Sequence, residues 1–192
     1  MKKRLTKKDI LTIPNALSLF RLLLVPVIVW LYCKAGRHYA ALGVVILSGI
    51  TDIADGYIAR HFNMVSDVGK VLDPIADKLT QAALLISLAT RYRVLYWLFV
   101  LFVVKELMQG SLGYLVLKKT DVLEGARWYG KVSTGVFYGV MMALILFDTI
   151  PLPWAYALIG LCAAALAMSM ILYALFFARI IHQLRVKSDR HS

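Results

Sequence analysis

Gly49 to Leu79 reads GITDIADGYIARHFNMVSDVGKVLDPIADKL. It carries Asp52, Asp55, Asp67, Asp73 and Asp77, five of the eleven acidic residues in a 192-residue chain that is 60% hydrophobic. On a helix, Asp52 and Asp55 lie three apart on one face, and Gly56 and Ala59 follow on that same face. The near-absence of side chain at Gly56 and Ala59 lets a large ligand approach the backbone, and Arg60 closes the stretch. Gly69, Asp73 and Asp77 repeat at intervals of four and make a second stripe. Pro74 fits early in that helix, where its missing N–H costs little. The spacing predicts two neighbouring antiparallel helices whose acidic faces meet at one end. Asp67 is off both stripes and reads as connection or helix capping.

The surroundings are membrane-like. Only 17% of residues are charged and the mean hydropathy is +0.72, outside the range of a soluble domain of this size. Apolar runs at about 16–33, 39–59, 74–90, 94–117, 131–149 and 153–178 approach the ~20 residues that cross about 30 Å of hydrocarbon. The expected fold is an all-α integral membrane protein with six transmembrane helices in a single domain, 1–192. Within it, 1–15 is an interfacial amphipathic helix, 16–178 the six-helix bundle and 179–192 a cytoplasmic tail. In the interfacial segment Leu5, Ile10 and Leu11 face inward, Lys7 and Lys8 face phosphates, and Pro14 marks the turn into the first span.

A net charge of +11 would suit nucleic acid, but its distribution argues otherwise. With an even number of spans, seventeen of the 22 Lys and Arg fall on the side that holds both termini. Four (Lys34, Arg37, Arg91 and Arg93) fall on the other, and Lys105 lies within a span. That asymmetry puts both termini in the cytoplasm, in the plasma membrane. The excess charge then faces anionic lipid headgroups, worth about 1 kcal/mol per basic residue near the surface, and no nucleic-acid partner is needed. No small-x-small cleavage site follows the first apolar run, so that run reads as a span rather than a signal peptide. Cys33 and Cys162 read as buried free thiols.

The acidic cluster has a cost that suggests its use. A carboxylate at membrane depth costs about 2.5–3.5 kcal/mol even on the lenient insertion scale. Two carboxylates about 5 Å apart repel by roughly 3 kcal/mol at an effective dielectric near 20. Arg60, Lys70 and Lys78 offset part of this, and hard divalent cations would offset more. Oxygen-only ligands suit Mg²⁺ or Mn²⁺, and a pair of such ions clamps phosphoryl groups. A divalent-cation transporter would want polar residues continuing through the membrane. The outward halves of the second and third spans, ALGVVILSG and AALLISLA, offer little beyond single serines. A catalytically silent scaffold would be favoured by the loss of a motif Asp, and none is lost.

The pattern Asp52-x-x-Asp55-Gly56-x-x-Ala59-Arg60, eight residues, Gly69-x-x-x-Asp73-x-x-x-Asp77 resembles the complete signature of the CDP-alcohol phosphotransferases. The resemblance implies six transmembrane helices, a homodimer, an active site open to the cytoplasm, and transfer of a phosphatidyl group from CDP-diacylglycerol to an alcohol with release of CMP. It further implies that Asp52, Asp55, Asp73 and Asp77 hold two metal ions, Mg²⁺ or Mn²⁺. Asp52, Asp55, Gly56, Ala59, Arg60, Gly69 and Asp73 would line the CDP site, and Asp77 would be the catalytic general base.

The stretch Ile13-Pro14-Asn15-Ala-Leu-Ser18-Leu-Phe-Arg21, together with Lys105-Glu106 and Gly130-Lys131-Val-Ser133-Thr134, resembles the phosphatidylglycerophosphate synthases of that family. This implies glycerol 3-phosphate as acceptor, held by Lys105, Arg127 and Lys131, with Asn15, Ser18 and Arg21 as headgroup or nucleotide contacts. Ser133 stands where the subfamily has a second Lys, Phe137 where a Gln is usual, and Gly113 where an Arg is frequent. A phosphomonoester of nearly two charges favours several cations. Their loss keeps open phosphatidylglycerol as acceptor, which would make the chain a cardiolipin synthase, or another alcohol.

Overall fold

A computed structural model describes residues 12–62, 68–120, 127–147 and 149–189. The interfacial segment 1–11 and Asp67 lie outside the described residues, as do the side chains of Ala59 and Arg60. Every regular element described is a helix: α1 Ile13–Cys33, α2 His38–His61, α3 Gly69–Ala89, α4 Leu95–Thr120, α5 Trp128–Leu146 and α6 Leu152–Asp189. The chain is an all-α integral membrane protein. Five of the helices are long and apolar enough to cross a membrane, α3 being the exception. That helix has the length, at 21 residues, but its first ten include Lys70, Asp73, Asp77 and Lys78, so only its second half is free of charged residues.

The helix ends follow from local chemistry. α1 starts earlier than expected because Thr12 caps it. The Thr12 hydroxyl accepts from the Asn15 amide at 3.4 Å, and Pro14 falls at the helix start, where its fixed φ is already helical. The turn after α1 uses Gly36 at φ +61, a left-handed conformation that glycine adopts without strain. α5 runs three residues earlier at both ends than the apolar run suggested. It ends where Phe147 leaves the helical region at φ -96, ψ 80, and Ile150, before Pro151, is biased away from helix. α6 runs on to Asp189, well past 178. Its last turns hold Arg179, Arg185 and Lys187, cations that suit the negative end of a helix.

The chain forms two compact units, Met1–Arg93 and Val94–Ser192. In the first, α1 packs against both α2 and α3, with Leu24, Ile28, Ala41, Val45, Leu84 and Leu88 buried. In the second, α6 packs against both α4 and α5. There Tyr129, Tyr173, Phe177 and Val116 make one core cluster. The outward faces of both units are rich in exposed Leu, Ile, Trp and Tyr, as expected of helices solvated by lipid. Of the two thiols, Cys162 is buried but Cys33 is exposed, because it ends α1 on the face away from α2 and α3.

Candidate active site

The first unit assembles the acidic stripes around α1. Arg21 is the one charged residue in that helix, and its side chain is 2% exposed. A buried guanidinium at membrane depth requires partners. One terminal nitrogen pairs with Asp52 and the other donates to Asp55 Oδ2 at 2.5 Å. Asp55 is buried, whereas the Asp52 carboxylate is about half exposed. Removing one member of a buried pair strands the other and costs about 3–5 kcal/mol, so Arg21 and Asp55 are mutually dependent.

Ser18, one turn before Arg21, joins the two stripes. Its hydroxyl lies within hydrogen-bond reach of Asp73 Oδ1 on α3, of Asp55 Oδ2 on α2 at 3.4 Å, and of the Pro14 carbonyl at 3.0 Å. A hydroxyl has one proton to donate. Three acceptors, two of them carboxylates, therefore share one donor at this point between α1, α2 and α3. The stripes meet through α1, with Ser18 and Arg21 as the link.

Asp77, one turn further along α3, is half-buried. Gln81 Nε2 donates to its Oδ2 at 3.1 Å, and Lys78 Nζ lies 3.9 Å from the same oxygen. The Gln81 side chain is itself buried, so this bond fixes the carboxylate's rotamer while leaving acceptor capacity at its oxygens. Gly69 is buried at the start of α3, and Gly56 is half-buried on the Asp52–Asp55 face of α2.

The donor set suits a hard divalent ion: carboxylates and a hydroxyl, with no nitrogen or sulfur. Among the described residues, no three His, Cys, Asp or Glu side chains close on one point as a ligand group. The carboxylates are instead drawn to Arg21 and Ser18.

The second unit carries the residues expected to meet the acceptor. Lys105 is buried and pairs with Glu106 at 2.6 Å. Arg127 precedes α5. Its guanidinium lies 4.0 Å over the Phe176 ring and its backbone N–H donates to Tyr173 Oη at 3.3 Å. Lys131 is exposed on α5. Ser133 is buried, and neither its hydroxyl nor that of Ser169 on α6 has a hydrogen-bond partner among the described residues. Tyr129 and Tyr173 pack edge to face, their ring centroids 4.7 Å apart. A cavity of about 340 Å³ between the starts of α4 and α6, lined by Trp97, Leu101, Tyr156 and Ile159 among others, is apolar and offers no chemistry.

Asn15, Ser18 and Arg21, expected as headgroup or nucleotide contacts, are all buried. Sequence reasoning missed that Ser18 and Arg21 engage the acidic stripes. The available signal was a single arginine in an otherwise uncharged span, which demands a carboxylate partner. It also missed Gln81 as the partner of Asp77, although the spacing of four on one helix was visible.

Residues 11–178 match the family model described as CDP-alcohol phosphatidyltransferase. Among named relatives, a putative cardiolipin synthase of Mycobacterium tuberculosis is 29% identical over 200 residues, spanning 100% of this chain and 95% of the relative. A probable phosphatidylglycerophosphate synthase of the same species is 32% identical over 185 residues, covering 91% of this chain and 84% of that one. The CDP-diacylglycerol--glycerol-3-phosphate 3-phosphatidyltransferase of Bacillus subtilis is 31% identical over 161 residues, covering 74% and 83%.

Proposed function

The chain belongs to the CDP-alcohol phosphatidyltransferase family, and from that premise we propose that this enzyme transfers the phosphatidyl group of CDP-diacylglycerol to sn-glycerol 3-phosphate, giving phosphatidylglycerophosphate and CMP. The observation that carries the reading is the junction at Ser18, where Asp55 from α2 and Asp73 from α3 reach one hydroxyl. Two acidic stripes that meet inside a membrane protein are costly unless they bind cations and phosphate.

Asp52, Asp55, Asp73 and Asp77 would hold Mg²⁺ or Mn²⁺, two ions in all. When bound, these ions neutralise charge on the pyrophosphate and on the leaving CMP. Gly56, Ala59 and Gly69 give the nucleotide a surface without bulk, and Arg60 faces its phosphates. Asp77, oriented by Gln81, accepts the proton of the acceptor hydroxyl. The hydroxyl oxygen attacks the phosphorus that bears the diacylglycerol. A new P–O bond forms, the bond to the CMP oxygen breaks, and CMP leaves with that electron pair. Direct displacement suffices, since the proton has an acceptor and no protein nucleophile is required. Lys105, Arg127 and Lys131 hold the acceptor's phosphate. The protein sits in the plasma membrane as a homodimer, with its termini and active site toward the cytoplasm, in keeping with the charge distribution.

A second acceptor has a specific observation in its favour. Ser133 is buried where a second lysine would add charge for a phosphomonoester, and Lys105 is already paired with Glu106. Phosphatidylglycerol carries less charge and needs fewer cations. The test is product identity. Purified protein is supplied with CDP-diacylglycerol and Mg²⁺, with glycerol 3-phosphate and phosphatidylglycerol in separate reactions, and the lipids are resolved by mass spectrometry. Phosphatidylglycerophosphate is the expected product. Cardiolipin alone would transfer the assignment to the second acceptor.

A further inference from the structure

Arg21 is placed to do something the proposed transfer does not use. Its guanidinium is buried among neutral residues of α1, yet it engages both carboxylates of the first acidic stripe through its two terminal nitrogens. Its Nε is buried and has no hydrogen-bond partner among the described residues, so the group is held by the carboxylates rather than by a wider network. The oxygens it occupies belong to Asp52 and Asp55, the same groups that would ligate a divalent ion. We propose that Arg21 is an internal counter-ion that competes with the divalent cation for Asp52 and Asp55, and so sets how tightly the metal is held.

A cation within hydrogen-bonding distance of a carboxylate stabilises its charged form, and so does a metal. The two positive groups also repel each other in a medium of reduced dielectric. Arginine suits this role because its planar fork bridges two carboxylates and stays protonated. It therefore occupies oxygens of both Asp52 and Asp55, and its own charge disfavours the incoming ion. Ser18 extends the arrangement to Asp73, so the charge state of one stripe is felt by the other. Arg21 is thus a positioning residue, acting on the reaction through the metal ligands.

This inference rests on the reading of the Asp cluster as a metal site, and the test separates the two. Mn²⁺ is titrated into the purified full-length protein in detergent, and free Mn²⁺ is followed by electron paramagnetic resonance. Wild type is compared with Arg21→Gln and Arg21→Lys, and thermal stability is recorded with EDTA and with Mn²⁺. The expected result is that Arg21→Gln binds Mn²⁺ at least about five-fold more tightly than wild type, because a repelling charge is gone. Arg21→Lys, which keeps the charge, should stay within about two-fold. Arg21→Gln should be less stable than wild type in EDTA and should recover most of that loss with Mn²⁺, since the ion replaces the missing counter-charge. A residue that only packed the helix would lower stability equally in both conditions and would not tighten Mn²⁺ binding. Unchanged or weaker Mn²⁺ binding by Arg21→Gln overturns the inference while leaving the metal site standing. A variant that stays unfolded even with Mn²⁺ present also overturns it, because the cation then cannot take the arginine's place. Wild type that binds no Mn²⁺ overturns the metal reading, and the inference with it.

Discussion

The two halves of this chain handle buried charge in opposite ways. In the first unit the charges are mutual. Arg21 binds both Asp52 and Asp55, and Ser18 ties Asp55 to Asp73. In the second unit Lys105 pairs with Glu106 and Arg127 lies against the face of Phe176. The unmatched polar atoms there are neutral hydroxyls such as those of Ser133 and Ser169. On the proposed reading, cations and phosphate complete the first unit. In the second unit Ser133 and Gly113 stand where the subfamily pattern has cations. The donor chemistry is therefore more sharply defined by the residues than the choice of acceptor.

The largest expected effect lies in the first unit. Asp77→Asn should lower turnover by about 10²–10⁴, the range that a positioned general base supplies, while CDP-diacylglycerol binding stays within a few-fold. Steady-state CMP release and a nucleotide-lipid binding assay measure the two separately. Near-normal turnover would remove Asp77 as the base.

The next contrast lies within one stripe. Asp55→Asn strands Arg21 in the interior and should cost about 3–5 kcal/mol of stability. Asp52, whose side chain is 52% exposed, should cost less than about 1 kcal/mol when changed to Asn, as for a solvent-exposed pair. Thermal unfolding in detergent measures both, and equal losses would mean that Arg21 is not anchored on Asp55.

A smaller effect is expected in the second unit from Gly130→Ala. A Cβ at that position would lie 2.5 Å from Tyr173 Oη, so the ring must shift. Overpacking of this kind costs about 1–3 kcal/mol. Because Tyr173 also accepts from the Arg127 amide, the acceptor KM should rise more than the CDP-diacylglycerol KM. An effect specific to the acceptor is expected from Lys105→Met, which removes one of three proposed acceptor cations. The KM for glycerol 3-phosphate should rise by about ten-fold, equivalent to about 1.4 kcal/mol, and the KM for phosphatidylglycerol by much less. A uniform rise would make Lys105 a structural partner of Glu106 only.

Much of this was legible in the sequence because it is periodic. The stripes Asp52/Asp55/Gly56 and Gly69/Asp73/Asp77 follow from spacing alone, and the helices follow from the length of the apolar runs. Helix ends were less legible, since they depend on a cap such as Thr12 or a break such as Ile150-Pro151, and the extension of α6 to Asp189 lies in a stretch that is no longer apolar. Ser18 and Arg21 were visible as polar residues in a span but not as partners of Asp73 and Asp55. Contacts 34 to 55 residues apart in sequence leave no periodic trace. For the same reason the pairing of Arg127 with Phe176 and Tyr173 emerges only once α5 and α6 are packed.

The most direct test of the central claim is CMP release by the purified wild-type protein with CDP-diacylglycerol and glycerol 3-phosphate, measured in Mg²⁺, after EDTA, and after Mg²⁺ is restored. The predicted result is release that EDTA abolishes and restored Mg²⁺ recovers. Release that is indifferent to EDTA would contradict the assignment of Asp52, Asp55, Asp73 and Asp77 as ligands of a catalytic metal.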